Sequence, residues 1–342
     1  MPRYAILAEG RFDYLLSKTG NAVLRYRSEE AAVVIDSESA GKTVQEVIGF
    51  GGNVPIVASF EDSLTYQPDT LLIGIAPPGG IVPYDWRATL ISAIENGLNI
   101  VSGLHEFLTD DEELKHAAAR KRVTIKDLRK PVNPLPFYRG SWKTRKTPVL
   151  LTVGSDCDTG KMTVAWELMN ALEKTGKRGV MVGTGQTGIL LSGRGVAVDA
   201  VVSDFVSGAV EAEIDAVDGK ADIIIVEGQG SLNHQAYSGV TLGLLHGAMP
   251  DMMVMCHEPN RAKDTFNYPI PELNKLMEWH VSLLKPFKKV EYAGISLLTH
   301  GLSDVKSKKE IKNYSKKFGL PVSDIVRFGA EPILKSILQK LG

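Results

Sequence analysis

The sequence predicts an α/β protein of two doubly wound domains, each built on a parallel sheet. Three observations predict it. Short β-branched runs alternate with helical patterns along both halves of the chain. These runs are continuously apolar rather than alternating, as in strands covered by helices on both faces. A proline-rich stretch without apolar periodicity separates the halves. The 342 residues give room for two cores.

In the first half, "YAILAEG", "AAVVIDS", "VPIVASF", "TLLIGIA", "NIVSGL" and "VTIKDL" are expected as strands. Between the fourth and fifth, "DWRATLISAIENG" puts Trp86, Leu90, Ala93 and Ile94 on one helical face and stops at Gly97. The first strand runs into "AEGRFDYLL", which lacks G-x-G-x-x-G, and "GFGGN" at 49–53 follows a helical pattern. Neither meets the context of a dinucleotide fingerprint. "IAPPGG" and "SGLHEF" are strand-end loops, in which His105 is as readily structural as functional. Residues 129–148 carry four prolines. The expected division is therefore a domain at 1–130, a linker at 131–147 and a domain at 148–342.

In the second half the expected strands are "PVLLTVG", "RGVMVGTG", "DAVVSDF", "ADIIIVEG", "PDMMVMCHE", "YAGISLLTH" and "SDIVRFG". After the first of these, Ala165, Leu168, Met169 and Leu172 form a helical stripe closed by Gly176. The basic run "SDVKSKKEIKNYSKKFG" carries Ile311, Tyr314 and Phe318 at helical spacing, which makes its lysines a solvated helix face.

The chemistry concentrates at "VLLTVGSDCDTGKMT". Gly154 and Gly160 bracket Ser155, Asp156, Cys157, Asp158 and Thr159, and Lys161 opens a helix. Backbone amides in such a turn, the helix N-terminus and the lysine together hold phosphate. The plainer alternative is a tight strand-to-helix turn with an incidental lysine. Phosphate loops usually place Ser or Thr directly after the lysine to hold Mg²⁺. Here Met162 stands there and the hydroxyl comes one place later, at Thr163. A loop poor in metal ligands suits anchoring a diphosphate better than splitting one, and coenzyme A fits that use.

Other candidates lie at the ends of the later strands. Glu227 in "VEGQGS" stands where phosphate-loop proteins place an acidic group, although it could simply cap the next helix. Asp204 occupies a similar place with less support. Gln186, Thr187 and Arg194 could hold a substrate carboxylate, and a plain glycine turn explains that segment equally well. His234 could act as a general base, or be a loop histidine bonded to backbone. His246 fits a helix C-terminus. Cys256 and His257 are adjacent on a strand, so they point to opposite faces and cannot pair directly. No HxxxH or CxxC spacing supports zinc, and no metal is expected outside an ATP reading.

Balanced charge, 39 basic against 40 acidic residues, argues against a general nucleic-acid or membrane-surface binder. Two cysteines in separate segments form no disulfide framework, and the N-terminus has no signal-like or spanning apolar run. A cytoplasmic protein is expected.

"GSDCDTGK" followed by "VEGQGS" resembles the dethiobiotin synthetase and cobyric acid synthase branch of phosphate-loop proteins. A longer resemblance spans nearly the whole chain, through "LLIGIAPPGG", "NIVSGLHEFL", "VGSDCDTGKMT", "GTGQTGI", "VEGQGSLNHQAYSGVTLGLLHG" and "MCHEPNR". These segments are similar to a bacterial family long filed as a domain of unknown function and associated with D-glutamate N-acetyltransferase. That resemblance implies a Rossmann-like domain followed by a phosphate-loop domain, and an activity that uses acetyl-CoA. On this reading residues 154–163 hold coenzyme A, Gln186, Thr187 and Arg194 orient the acceptor, and His234 or Glu227 takes the proton. Tyr237 or an amide of the 228–230 turn steadies the oxyanion. The partner is a small-molecule substrate, and a homo-oligomer is expected. The alternatives are an ATP- and Mg²⁺-dependent ligase or kinase using Thr163, Asp204 and Glu227, and a nucleotide-binding regulator without turnover.

Overall fold

The computed structural model describes residues 1–14, 16–75 and 77–341. The chain divides into two compact units, Met1–Lys130 and Pro131–Gly342. Each holds a six-stranded sheet in which every pair is parallel.

The strands of the first unit are β1 (Tyr4–Leu7), β2 (Ala31–Ile35), β3 (Ile56–Val57), β4 (Thr70–Ile73), β5 (Asn99–Ser102) and β6 (Ile125–Asp127). Their order, β3-β2-β1-β4-β5-β6, is that of a doubly wound dinucleotide-type sheet. The continuous apolar runs predicted this: β1 and β4 are buried along their whole lengths. The helix Trp86–Glu95 buries Trp86, Leu90, Ala93 and Ile94, the four residues expected on its face. "GFGGN" follows the short helix Val44–Ile48, whose Thr43–Glu46 capping box sets its start. Of the expected strand and loop segments, "TLLIGIA" includes Ala76 and "AEGRFDYLL" includes Leu15, and these two residues lie outside the described ones.

The second unit contains β7 (Val149–Gly154), β8 (Gly179–Val182), β9 (Ile223–Val226), β10 (Met252–His257), β11 (Glu291–Leu297) and β12 (Val322–Ser323), in the order β12-β11-β10-β7-β9-β8. β7, β9 and β10 are wholly buried, and the core around them joins Val149, Leu151, Ile224, Met253 and Met255 to helix residues such as Val210, Leu245 and Leu276. A fully buried aliphatic side chain of this kind contributes about 1.5–3 kcal/mol. The helix Lys161–Glu173 buries Ala165, Leu168 and Leu172, with Met169 at the margin. The basic helix Asp304–Phe318 begins at the Ser303 cap and lays Ile311, Tyr314 and Phe318 against the core.

Two expected strands are not strands. "DAVVSDF" forms two 3₁₀ turns, Val198–Ala200 and Ser203–Phe205, and leaves Val202 61% exposed. Of its apolar run at 200–202 only Val201 is buried, so it offers a sheet no continuous buried stretch. "SDIVRFG" contributes only Ser323 to β12. The Asp324 carboxylate then accepts the Arg327 amide and starts the helix Ile325–Phe328. A capping aspartate overrides the β preference of Ile325 and Val326.

The segment expected as a linker packs within the second unit. The amides of Arg139 and Ser141 donate to the Glu211 carboxylate at 2.6 and 2.7 Å. The amides of Lys146 and Thr147 donate to Asp218 at 3.0 and 2.8 Å. Its backbone hydrogen bonds are supplied by acidic side chains, so it needs no sheet of its own.

Candidate functional site

Because the second sheet is all parallel, the segments leaving β7, β8, β9 and β10 emerge at one carboxyl edge, the usual crevice of such a fold. Four groups of residues meet the chain there.

The first is the phosphate loop. Gly154 ends β7, the Ser155 amide donates to Cys256 O at 3.1 Å, and Lys161 begins a helix of 13 residues. The first amides of that helix have no intrahelical acceptor and are available to an anion. Lys161 Nζ folds back and donates to Asp156 O at 2.7 Å. Burial lowers its pKa, opposed by the nearby Cys157, Cys256, Asp158 and Asp156. Asp156 is fully buried. One carboxylate oxygen accepts the Cys157 amide at 2.7 Å and the other accepts Arg261 Nη1 at 3.0 Å. Arg261 also donates to Cys157 O at 2.6 Å and pairs with Glu258. Met162 and Thr163 lie half-buried in the first helical turn, and Asp158 is exposed at the tip.

The second group is the turn after β9. Glu227 is 4% exposed, and its Oε2 accepts the amides of Thr184 and Gly185 at 2.9 and 3.2 Å. Burial raises its pKa to about 7, against the pull of those two amides and of Lys161. The turn is held closely. The Gly228 amide donates to Thr152 Oγ1 at 2.9 Å, and Gln229 Nε2 donates to Thr184 Oγ1 at 3.1 Å. A Cβ on Gly228 would lie 1.8 Å from Thr152 O, so only glycine lets this turn approach β7.

The third group follows β8. The helix Gln186–Ser192 begins beside Glu227, and a Cβ on Gly188 would come within 2.0 Å of Glu227 Oε2. Thr187 is buried and Gln186 half-buried. After Gly193 the chain returns, and Gly183 N donates to Arg194 O at 3.3 Å. The buried Nη1 of Arg194 has no hydrogen-bond partner among the described residues. A guanidinium in that condition is suited to a carboxylate ligand.

The fourth group centres on His234, which is fully buried. Its Nδ1 accepts the Ala236 amide at 3.2 Å, and its Nε2 lies 2.9 Å from Thr265 Oγ1. The acceptor role of Nδ1 places the ring proton on Nε2. The ring stacks on Tyr237 at 4.6 Å and lies 4.9 Å from that of Phe266, while Tyr237 itself is 42% exposed. Both ring nitrogens of His234 are thus engaged. Glu227 titrates near neutrality, and only its Oε2 is hydrogen-bonded among the described residues.

Several other candidates stand outside these four groups, although Cys256 and His257 adjoin the phosphate loop through Ser155. Asp204 is exposed in a 3₁₀ turn, so its expected strand-end position is corrected. His246 lies at the end of the helix Ser238–Ala248, edge-on to Phe287. His257 bonds Ser155 Oγ at 2.8 Å and Tyr314 OH at 3.0 Å, and burial lowers its pKa to about 4. Burial pushes the Cys256 thiol up to about 12, which disfavours the reactive thiolate. His105 packs on Gly80 in the first unit.

Sequence reasoning missed two features. Arg261, in "MCHEPNR", straps the phosphate loop; an arginine just beyond a strand of the same edge was the available signal. It also gave Asp156, Cys157 and His234 no common site, yet their ligand atoms lie within 4.8 Å of one another. Among the described residues, no helix is long and apolar enough to cross a membrane.

Comparison with known proteins matches residues 136–334 to the family described as a domain of unknown function (DUF1611_C), P-loop domain. Residues 37–131 match its companion, the DUF1611_N Rossmann-like domain. The chain is 39% identical over 272 residues to a D-glutamate N-acetyltransferase of a Pseudoalteromonas species, covering 78% of this chain and 81% of that one. A D-glutamate N-acetyltransferase of Tritonibacter scottomollicae is 35% identical over 294 residues, covering 84% and 87%. The crystal structure of a DUF1611 family protein from Anabaena variabilis superposes with a TM-score of 0.94 at 37% identity, over 99% of this chain and all of that one.

Proposed function

The chain belongs to the DUF1611 family, a Rossmann-like domain followed by a P-loop domain, and on that premise we propose that it moves acetyl from acetyl-CoA to the amine of D-glutamate. It is an acyltransferase; the donor and the acceptor are the proposal. The observation that carries the reading is similarity, over most of both chains, to two proteins named D-glutamate N-acetyltransferase.

The site supplies the parts. Amides of residues 154–163 and Lys161 hold the phosphates of coenzyme A, which do not react, so Met162 in the usual hydroxyl position is tolerated. Gln186, Thr187 and Arg194 orient the acceptor carboxylates, Arg194 through its unpartnered Nη1. Glu227, with a pKa of about 7, takes a proton from the ammonium group. The freed amine attacks the thioester carbonyl carbon, the C–S bond breaks, and the departing coenzyme A thiolate takes the second proton from the nitrogen, leaving an amide and a thiol. Tyr237 or an amide of the 228–230 turn donates to the oxyanion.

The test is release of coenzyme A thiol on mixing the protein, acetyl-CoA and either enantiomer of glutamate. Release with D-glutamate, independent of ATP and Mg²⁺, is expected. No release with any acidic amino acid, alongside Mg²⁺-dependent ATP turnover, would replace this reading with the ligase.

A further inference from the structure

We propose that Asp156, Cys157 and His234 form a binding site for a divalent cation of the zinc class, built into the phosphate loop. The site rests on the reading of residues 154–163 as a phosphate loop, not on the identity of the acyl acceptor.

The three residues come from two segments, the loop after β7 and the turn after β9. A carboxylate oxygen, a thiol sulfur and one ring nitrogen lie within 4.8 Å of one another. In a tetrahedral zinc site, with bonds of about 2.0–2.3 Å, ligand atoms stand about 3.5 Å apart. Closing this cluster therefore asks for side-chain movement of about 1 Å. Asp156 and His234 are fully buried and Cys157 half-buried, so two of the donors are already fixed.

The donor chemistry selects the ion. Sulfur, imidazole and one carboxylate suit zinc or cobalt and not Mg²⁺, which takes oxygen ligands. Three protein ligands leave a fourth position for water or a ligand oxygen, the pattern of an open zinc site. The partners of His234 fit as well. A proton on Nε2, donated to Thr265, leaves the Nδ1 lone pair for the cation in place of the long bond from Ala236. Arg261 donates to one Asp156 oxygen and the Cys157 amide to the other, and each oxygen keeps a second lone pair for the cation. Arg261 is itself paired with Glu258, which offsets its charge beside the cation. The loop thus lacks the hydroxyl that usually places Mg²⁺, and carries a different donor set within the same turn.

The probe is Co²⁺ added to the full chain after dialysis against a chelator, followed by displacement with Zn²⁺. One equivalent of Co²⁺ should bind with a thiolate-to-cobalt charge-transfer band in the near ultraviolet. Cys157→Ser should abolish that band and weaken Zn²⁺ at least ~10-fold, with its circular dichroism spectrum unchanged. Zn²⁺ should also slow alkylation of Cys157 by iodoacetamide. No cobalt band in the wild-type chain, or equal Zn²⁺ affinity in Cys157→Ser, would overturn the site. The readouts need no turnover: a chain that binds Co²⁺ but releases no coenzyme A keeps this site and loses the proposed function, and the reverse result does the opposite.

Discussion

In the proposed reaction Glu227 is the base. As a base with a pKa near 7, it should give a kcat that rises with pH through about 7, and Glu227→Gln should lose kcat ~10²–10⁴-fold with little change in KM for acetyl-CoA. The same residue leaves a mark on stability. Its folded pKa is raised from 4.5 to about 7, so the folded chain holds a proton that the unfolded chain has released. Stability attributable to it is therefore full below pH 4.5, falls as pH rises to 7, and is flat above, by about 3 kcal/mol in all. His257 acts in the opposite sense: its pKa, lowered from 6.5 to about 4, costs stability as pH falls through that window. Urea melts of wild type and Glu227→Gln from pH 4.5 to 8 isolate the first effect in their difference. A constant difference would contradict the raised pKa. Gly188→Ala places a methyl group against Glu227 Oε2 and should destabilise by roughly 1–3 kcal/mol, the usual cost of overpacking. It should also lower kcat, because Glu227 must move.

At the scale of elements, the phosphate loop is a strand, a turn and a helix held by a strap from the neighbouring strand. Arg261→Ala removes two hydrogen bonds to the loop and leaves the buried Asp156 carboxylate without its cation. Hydrogen exchange at residues 155–160 should quicken at least ~10-fold, with the core strands unaffected. Unchanged exchange would show that the loop holds its own shape. Much of this was legible in the sequence. β7, β9 and β10 are buried along their whole lengths, and apart from Thr152, Gly154 and His257 their residues are apolar, so their runs announce them. Gly160, at φ +87°, announced the turn, because few residues other than glycine allow that backbone. The failures were local contests. Asp324 could cap or sit in a strand, and the tertiary setting decided for the cap. Arg261 and the meeting of Cys157 with His234 depend on how loops from different strands converge, which spacing along one chain does not encode.

At the scale of the whole molecule, the chain is two α/β units, each with its own sheet and core. The segment 131–147 packs its acidic-anchored backbone within the second unit, so residues 131–342 should fold cooperatively as a fragment and bind acetyl-CoA. A fragment beginning at 148 should be less stable, because Glu211 and Asp218 lose the amides they accept. Thermal melts of the two fragments compare them directly. The proposed function requires this phosphate loop to anchor coenzyme A. Calorimetric titration of the full chain with acetyl-CoA tests it, repeated with Lys161→Ala and with ATP plus Mg²⁺. Acetyl-CoA should bind without Mg²⁺, be competed by free coenzyme A, and bind at least ~10-fold more weakly in Lys161→Ala. Tight Mg²⁺-dependent binding of ATP with no heat from acetyl-CoA would contradict it.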